Sequence, residues 1–478
     1  MSAIDLLAIS PLLLLAATAV IVMLVAAFGR RSGVTAVLTL AGLAGAFLTL
    51  PVVWPEVPRQ VTPLLVVDGY AVFYLGLLLV TSFVVTIQGY SYLQAAASDA
   101  NAFYILLLLA TLGTAVLVTS SHFASFFLGL ETLSISLYGL IAYTRTQKER
   151  VEAGLKYLIL AGTTAAFLLF GMALIYAELG TMQLTEIGSE IAAVPRSLIF
   201  VFGVGLLLVG IAFKLALVPF HLWTPDVYQG APAPVTGFVA TVSKGGMFVL
   251  LLRYFSEWGL LADGRISGLF TIIAIASMLV GNLLAVRQDN VKRILAYSSI
   301  AHLGYLLIPF VALNDQTMQA AAFYLVAYFL TTLCAFGVVA LLSEPQAERE
   351  DLQDYAGLFW QRPYLSLIFM LALLSLAGLP PLAGLVGKIY LVSAGLSSQL
   401  WWLLAALVLG SVIGVYYYMR VIVVMVRRVE IESETAVAPL YQTPGGLVLV
   451  ILALLLVALG LYPTPLIALI TAVIPSLA

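Results

Sequence analysis

Residues 210–225 read Gly-Ile-Ala-Phe-Lys-Leu-Ala-Leu-Val-Pro-Phe-His-Leu-Trp-Thr-Pro, an apolar segment that holds a lysine, a histidine and two prolines. Proline removes a backbone donor and clashes with the preceding turn, so Pro219 predicts a break in a helix. Lys214 and His221 lie seven residues apart and would share one face of an unbroken helix. A second segment, residues 376–388, reads Leu-Ala-Gly-Leu-Pro-Pro-Leu-Ala-Gly-Leu-Val-Gly-Lys and is interrupted in the same way. Broken backbone at membrane depth is tolerated only where it packs in protein or lines a wet cavity, so both segments indicate a functional site.

The composition around these segments is that of a membrane protein. Of the 478 residues, 63% are hydrophobic and only 9% are charged, whereas about 25% of an ordinary soluble domain is charged. A compact soluble protein cannot hide that much apolar surface, so a cytosolic enzyme and a disordered chain are excluded. The net charge of −2 gives no field that would attract nucleic acid. The single cysteine, Cys334, excludes a disulfide framework and a cysteine-ligated metal or iron–sulfur cluster.

The apolar runs are long, which predicts transmembrane helices rather than the alternating strands of a membrane barrel. The expected fold class is therefore an all-α polytopic membrane protein with about 14 transmembrane helices. The expected spans are roughly 5–28, 34–53, 68–88, 101–119, 122–143, 152–178, 197–222, 234–256, 266–286, 293–312, 317–343, 363–396, 401–426 and 446–470.

The loops between these spans predict the orientation, because cytoplasmic loops carry an excess of lysine and arginine. One set of alternate loops should be cytoplasmic, and both termini periplasmic, because that set holds most of the basic residues. This basic set comprises Arg30, Arg31, Arg145, Lys148, Arg150, Arg287, Lys292, Arg293, Arg349, Arg362, Arg427 and Arg428. The opposite set comprises Arg59, Arg196, Arg253 and Arg265. The longest polar stretch, residues 344–362, is interpreted as a solvated loop, with a lateral partner contact as the alternative.

A few charges fall inside the apolar spans, where each costs at least about 2.5–3.5 kcal/mol on insertion scales. The deepest are Lys214, Lys244, Lys388 and Glu131. Lys156 lies near the start of its span, so snorkelling to the lipid headgroups is its alternative role. Burial and neighbouring charges can lower the pKa of a lysine, whereas arginine stays protonated, so a row of buried lysines favours proton transfer. The alternative is that these charges form structural ion pairs that lock helices together.

A weak internal repeat accompanies the two broken segments. A constant offset of 167 places Phe103 on Phe270 and Tyr157 on Tyr324. Together with the breaks, this predicts two five-helix units of opposite topology. The expected division is an N-terminal three-helix segment over 1–100, a first repeat over 101–256, a second repeat over 266–426, and a loop with a C-terminal helix over 427–478.

Several of these strings resemble one known family. The string from Gly210 to Pro234, with Thr241-Val-Ser-Lys244 after it, closely resembles the antiporter-like N-type subunits of bacterial complex I, the NADH:quinone oxidoreductase. The Leu130-Glu-Thr string, the stretch from Leu295 to Tyr305 and the second broken segment with Lys388 also resemble it. The resemblance covers residues from about 100 to 430. M-type subunits usually carry glutamate where Lys388 stands, and multisubunit cation/proton antiporters, which share the fold, are the alternative family.

The resemblance implies a proton-translocating subunit of a respiratory enzyme, with no redox site of its own. It places NADH, FMN, iron–sulfur clusters and quinone in partner subunits, and it implies no cofactor or metal in this chain. The expected neighbours are the small K-type and the M-type membrane subunits within the lipid bilayer of the bacterial inner membrane.

The resemblance also implies a proton path. Glu131 is expected to pair with Lys214, with Lys156 beside this pair, and Lys244 is expected to continue the axis. His302 or nearby water should then link the axis to Lys388. His221 and His302 would relay protons near neutral pH, and hydrogen-bonded packing is the alternative role for both histidines.

Overall fold

The computed structural model is a bundle of helices that describes all residues except 30–31, 95–99, 145–146, 194–196, 315, 344–347, 429–442 and 475–478. In chain order its helices are α1 (Ala3–Ala8), α2 (Ser10–Phe28), α3 (Ser32–Val53), α4 (Gly69–Gln94), α5 (Asn101–Thr119), α6 (Phe123–Ile141), α7 (Lys148–Leu179), α8 (Leu184–Ala193), α9 (Leu198–Leu215), α10 (Trp223–Gly230), α11 (Ala233–Phe238), α12 (Lys244–Trp258), α13 (Gly264–Val286), α14 (Val291–Ala312), α15 (Thr317–Leu342), α16 (Leu358–Gln361), α17 (Pro363–Ala377), α18 (Ala383–Ser397), α19 (Trp401–Val426), α20 (Pro444–Leu461) and α21 (Thr464–Val473). One antiparallel hairpin, β1 (Arg59–Thr62) and β2 (Leu65–Val67), lies between α3 and α4.

Thirteen helices in the described part of the chain are long and apolar enough to cross a membrane. The expected span 363–396 is formed by two shorter apolar helices, α17 and α18. These helices together confirm the predicted all-α polytopic fold. The hairpin was not predicted, because its strands have only four and three residues.

Both predicted breaks are present and end their first half-helix in the same way. Ala216, which directly follows α9, has the left-handed conformation (φ 56°), and Gly378, which directly follows α17, has it too (φ 83°). In each case the next N–H bonds back five residues, from Leu217 to Ala212 and from Leu379 to Leu374. These are Schellman caps, which satisfy carbonyls that the interrupted helix leaves free.

Three spans are the most buried, namely residues 233–258, α14 and α15. The most apolar stretch of residues 233–258 is entirely buried, and that of α14 is 94% buried, whereas that of α2 is only 33% buried. Residues Val239–Ser243 form a π turn that joins α11 to α12, and Lys244 follows directly. A π turn is a rare interruption of a helix and is often found at functional sites.

The offset of 167 is visible in the helix bounds. Helix α5 ends at Thr119 and α13 at Val286, which are 167 residues apart. Each packs closely on the helix that follows it: a Cβ on Gly113 would lie 2.6 Å from the amide of Leu133, and one on Gly281 would lie 2.8 Å from that of Ala301. The bounds of the two units themselves stay a prediction.

Three basic residues that were expected in solvated loops are buried. Arg150 and Arg253 are 3% and 6% exposed, and Lys292 is fully buried. Each is satisfied by a carboxylate, which pattern-based assignment to loops could not anticipate. Arg30, Arg31, Arg145 and Arg196, which also entered the orientation argument, lie outside the described residues.

Candidate functional site

Lys214 lies in the last turn of α9, immediately before the first break, and is 4% exposed. Its Nζ donates a hydrogen bond to the Tyr157 hydroxyl of α7 at 2.8 Å. The same ammonium lies 5.1 Å from the centre of the Tyr157 ring. At the break, the Nε1 of Trp223 donates a hydrogen bond to the carbonyl of Phe213 at 2.9 Å.

Glu131 of α6, which was expected to pair with Lys214, makes no direct ion pair with it in the described structure. The Glu131 Oε1 is buried without a hydrogen-bond partner among the described residues, and the Lys214 ammonium donates to Tyr157. The two charged side chains nevertheless line one cavity of about 10 Å³, together with Ser134 and Thr164. A cavity of that volume holds about one water molecule.

Lys156 of α7 makes its described contacts with residues other than Glu131 and Lys214, and its expected role beside that pair stays a prediction. Its side chain is 45% exposed and pairs with Glu152 at 2.8 Å and with Asp226 of α10 at 2.9 Å. It is therefore a surface ion-pair residue in this structure.

Lys244 lies at the centre of the bundle with 1% exposure. Its Nζ donates to the Ser299 hydroxyl of α14 at 2.9 Å and lies 4.9 Å from the centre of the Tyr228 ring. Ser299 also accepts a hydrogen bond from Tyr328 of α15 at 2.8 Å. These hydroxyls were not singled out from the sequence, although Ser299 lies inside the string that resembles the family.

His302 lies one turn after Ser299 on α14 and is 5% exposed. Its Nδ1 is 2.7 Å from the Tyr324 hydroxyl, and its Nε2 is 3.4 Å from that of Tyr418. Its ring also stacks on Tyr328 at 5.6 Å. His302 therefore contacts the hydroxyl cluster that begins at Lys244.

Lys388 lies on α18, after the second break, and is 7% exposed. Its Nζ donates to the carbonyl of Ala377 at 2.8 Å and to the Ser411 hydroxyl at 3.1 Å. The Tyr305 ring lies 5.4 Å from this ammonium and 5.4 Å from the His302 ring. The Tyr305 ring is thus a neighbour of both His302 and Lys388.

His221, inside the first break, is 6% exposed, and its Nδ1 has no hydrogen-bond partner within the described chain. The structure does not bring it into hydrogen-bond contact with the lysines. His122, by comparison, accepts a hydrogen bond from the amide of Ala124 and caps the start of α6.

A buried charge cluster on the side of the basic loops was missed by sequence analysis. Glu348 follows α15 in the stretch interpreted as a solvated loop, yet its side chain is 2% exposed. It pairs with Lys292 of α14 and with Arg150 of α7, and it accepts a hydrogen bond from Tyr92 of α4. Burial alone would raise the pKa of the Glu348 carboxyl, but the charges of Lys292 and Arg150 hold that pKa below its ordinary value.

A second buried ion pair joins α12 to the residue that directly precedes α4. Arg253 donates to both Asp68 oxygens at 2.8 Å and lies over the Tyr70 ring at 4.8 Å. Burial works against ionised Asp68, but the neighbouring guanidinium lowers the pKa of this carboxyl overall. Arg253 was expected in a loop, and the bidentate pair is what allows it to be buried within the span.

The described residues include no group of three or more His, Cys, Asp or Glu side chains that could hold a metal ion. Cys334 is buried and free.

Comparison with known proteins gives one consistent result. A family model described as "NADH:quinone oxidoreductase/Mrp antiporter, TM" matches residues 120–414. The chain is 46% identical over 473 residues to NADH-quinone oxidoreductase subunit N of Ectopseudomonas mendocina, with 97% of this chain and 96% of the relative covered. It is 45% identical over 466 residues to the protein of the same name from Chromohalobacter salexigens, with 97% and 98% covered.

Solved structures share the fold over almost the whole chain. A chain of respiratory complex I from Thermus thermophilus with bound aureothin is 34% identical, with a TM-score of 0.82 and coverage of 96% of this chain and 98% of that one. A chain of the archaeal membrane-bound sulfane sulfur reductase gives a TM-score of 0.86 at 23% identity, with 99% and 98% covered. A chain of the Mrp complex from Dietzia gives 0.85 at 20% identity, with 99% and 97% covered. The last two likenesses concern the fold alone.

Proposed function

The chain belongs to the antiporter-like membrane subunits of NADH:quinone oxidoreductase, as a relative of subunit N, and from this premise we propose that its buried lysines conduct protons. The enzyme translocates protons while its other subunits perform the electron transfer. The observation that carries the proposal is the cluster of hydroxyls that Lys244 and His302 contact, because hydroxyls both donate and accept protons.

The proposed path begins at Glu131 and Lys214. The cavity that they share accommodates one water, which would connect the carboxylate to the ammonium without direct contact. An opposite charge nearby stabilises the protonated lysine, and a change in that distance would favour release of its proton. The two groups interact, so they are expected to titrate as a unit.

The path continues from Lys244 through Ser299 and Tyr328 to His302. Lys244 donates to Ser299 at 2.9 Å, and Ser299 accepts from Tyr328 at 2.8 Å. Reorientation of these hydroxyls would carry a proton along the row, and water would complete the transfer to His302, on whose ring Tyr328 stacks. Neutral His302 can accept a proton at the one ring nitrogen that its tautomer leaves unprotonated.

The last proposed station is Lys388. His302 and Lys388 share the neighbouring Tyr305 ring and no hydrogen bond among the described residues, so the proton would pass beside this ring through water. Lys388 would hold its charge against the free carbonyl of Ala377, where the partial negative charge of a helix C-terminus favours a cation. His221, whose Nδ1 has no hydrogen-bond partner among the described residues, is retained as a candidate relay beside the first break.

The surroundings of the chain form part of the proposal. NADH, FMN, the iron–sulfur clusters and quinone would lie in partner subunits, and small K-type and M-type subunits would be the membrane neighbours. The membrane would be the bacterial cytoplasmic membrane, with the basic loops in the cytoplasm and both termini in the periplasm.

The test uses the assembled complex in inverted membrane vesicles. Lys214→Ala, Lys244→Ala and Lys388→Ala should each lower NADH-driven proton uptake about a hundredfold, the effect expected for loss of a proton-transfer group. NADH oxidation by a soluble electron acceptor, which bypasses the membrane subunits, should be unchanged. Lys148→Ala is the matched control, because Lys148 is an exposed lysine at the start of α7.

Normal proton uptake by all three alanine variants would contradict the proposal. A cation/proton antiporter subunit is the alternative, and it is distinguished by the proteins that copurify in mild detergent. Peripheral iron–sulfur subunits support the respiratory enzyme, whereas their absence together with sodium-dependent proton movement supports the antiporter.

A further inference from the structure

Two carboxylates join the same pair of helices on the side of the basic loops. Glu348 pairs with Arg150 of α7 at 3.4 Å and with Lys292 of α14. Asp226 pairs with Lys156 of α7 and with Arg293 of α14, both at 2.9 Å. We call these contacts the inner rung (Arg150, Glu348, Lys292) and the outer rung (Lys156, Asp226, Arg293).

The rungs differ in burial. The side chains of Arg150, Glu348 and Lys292 are 4%, 2% and 0% exposed. Those of the outer rung are between 26% and 45% exposed. A cavity of about 510 Å³ is lined by members of both rungs, so water can reach the outer rung and the edge of the inner one. Exposed ion pairs contribute little, whereas breaking a buried pair leaves an uncompensated charge.

The inner rung also holds the segment that enters the centre of the bundle. Lys292 donates to the carbonyls of Gln229 and Ala231, each at 2.7 Å, at the end of α10. Glu348 accepts a hydrogen bond from the amide of Ala233 at 3.1 Å, at the start of α11. This segment follows Tyr228, whose ring faces Lys244.

The inner rung is in register with both lysine sites. On α7, Arg150 precedes Tyr157 by seven residues, and on α14, Lys292 precedes Ser299 by seven. Seven residues are about two turns, or about 10.5 Å along the axis. Tyr157 and Ser299 are the hydroxyls that accept from Lys214 and Lys244.

We propose that Glu348 is a positioning residue for proton transfer, which fixes α7 and α14 against each other so that Tyr157 and Ser299 reach their lysines together. This inference rests on the proposed proton path. One carboxylate would thus set two lysine contacts in two different parts of the path, and a shift of Glu348 would move both hydroxyls along their helix axes.

The first experiment compares Glu348→Gln with Glu348→Asp in the assembled complex. Glu348→Gln removes the charge at nearly constant shape and should lower the protons taken up per NADH oxidised by on the order of tenfold to a hundredfold, the effect of a small misplacement of reacting groups. Glu348→Asp keeps the charge and should restore most of this ratio. Asp354→Asn, an exposed carboxylate farther along the same loop, is the control and should behave as the native protein does.

The second experiment separates positioning from a purely structural role. Glu348→Gln is combined with Tyr157→Phe and Ser299→Ala, which remove both acceptors. If Glu348 acts through these hydroxyls, adding Glu348→Gln to Tyr157→Phe and Ser299→Ala should lower the proton ratio almost no further. If the effects are independent, the fold-losses of the separate variants should multiply.

Three outcomes would overturn the inference: an unchanged proton ratio in Glu348→Gln, multiplicative effects in the triple variant, or failure of both Glu348 variants to assemble. The last would assign Glu348 to folding alone. Failure of the proposed function is distinguishable, because Lys214→Ala and Lys244→Ala would then pump normally. If those two variants fail to pump while Glu348→Gln pumps normally, only the present inference falls.

Discussion

The two broken helices have the same cap but place their lysines on opposite sides of the break. Lys214 belongs to the half-helix before the first break, whereas Lys388 belongs to the half-helix after the second. At the first break, the carbonyl of Phe213 accepts from the amide of Ala216 and from Trp223, and the lysine binds Tyr157. At the second break, Lys388 itself binds the freed carbonyl of Ala377.

This difference shows that a broken helix can serve a lysine in two ways. At the first break the backbone is satisfied independently of the lysine, so Lys214 responds to side chains, including Glu131 across the small cavity. At the second break the lysine is part of the backbone repair, so its charge is tied to a helix end. Lys214 should therefore be the more adjustable of the two, and Lys388 the more firmly held.

The largest expected effect comes from replacing each lysine by methionine. Both Lys214→Met and Lys388→Met should lower NADH-driven proton uptake about a hundredfold. Only Lys388→Met leaves a buried carbonyl without its donor, which costs about 1–3 kcal/mol of unfolding free energy. Chemical unfolding of the purified chain in detergent, followed by labelling of the single buried thiol of Cys334, would measure this difference. Equal losses of stability would remove the distinction between the breaks.

The next effect concerns the hydroxyl partners. Tyr157→Phe removes the only hydrogen-bond acceptor that Lys214 has within the described residues, and should cost about 1.5–3 kcal/mol, the range for a hydrogen bond to a charged group. Ser411→Ala leaves Lys388 bound to Ala377 and should cost about half as much. Proton uptake should follow the same order. A larger effect of Ser411→Ala on both measurements would show that Lys388, and not Lys214, depends more on its hydroxyl partner.

The cap residues of α9 and α17, Ala216 and Gly378, allow two substitutions with smaller expected effects on stability, which should have opposite signs. Gly378→Ala puts a side chain on a residue with φ 83° and places its Cβ 2.8 Å from Lys388 Cδ. It should cost about 1–2 kcal/mol for the left-handed conformation and also disturb proton uptake. Ala216→Gly relieves the same conformation at the first break and should gain less than about 1 kcal/mol, because glycine also loosens the unfolded chain. The same thiol-labelling assay would compare them, and destabilisation by Ala216→Gly would contradict this account.

The smallest expected effect is that of Trp223→Phe. It removes one of the two donors to the Phe213 carbonyl, which keeps the amide of Ala216, and it keeps most of the ring packing, so it should cost about 0.5–1 kcal/mol of unfolding free energy. Proton uptake at saturating NADH should change little, because Lys214 does not depend on this hydrogen bond. A loss of uptake comparable to that of Tyr157→Phe would show that the backbone at the first break controls Lys214 after all.

Much of the fold followed from the sequence, because long apolar runs and prolines act locally. The spans, both breaks and the burial of Lys214, Lys244 and Lys388 required no knowledge of neighbouring helices. Ser299 and Tyr328 could not be selected, because a hydroxyl becomes part of a site only when another helix brings a lysine to it.

Glu348 shows the same limit for charged residues. In the sequence it lies in a polar stretch typical of a solvated loop, and only its two cationic partners, from α7 and α14, explain its burial. Tyr157 shows the same limit beside the Glu131–Lys214 site. Both charged residues were identified from the sequence, but the hydroxyl that Lys214 binds comes from a different helix.

The π turn before Lys244 has a consequence for the chain's tolerance of length change. A π turn is equivalent to a regular helix with one inserted residue. Deleting a single residue within Val239–Ser243 would therefore restore a regular helix and leave α11 and α12 close to their present relative phase. Deleting a residue within the regular helix α11 would instead rotate everything after it by about 100°, and the Lys244 side chain would leave the Ser299 side of the helix. The π turn is thus a place where the chain can lose a residue without turning this lysine away from its partner.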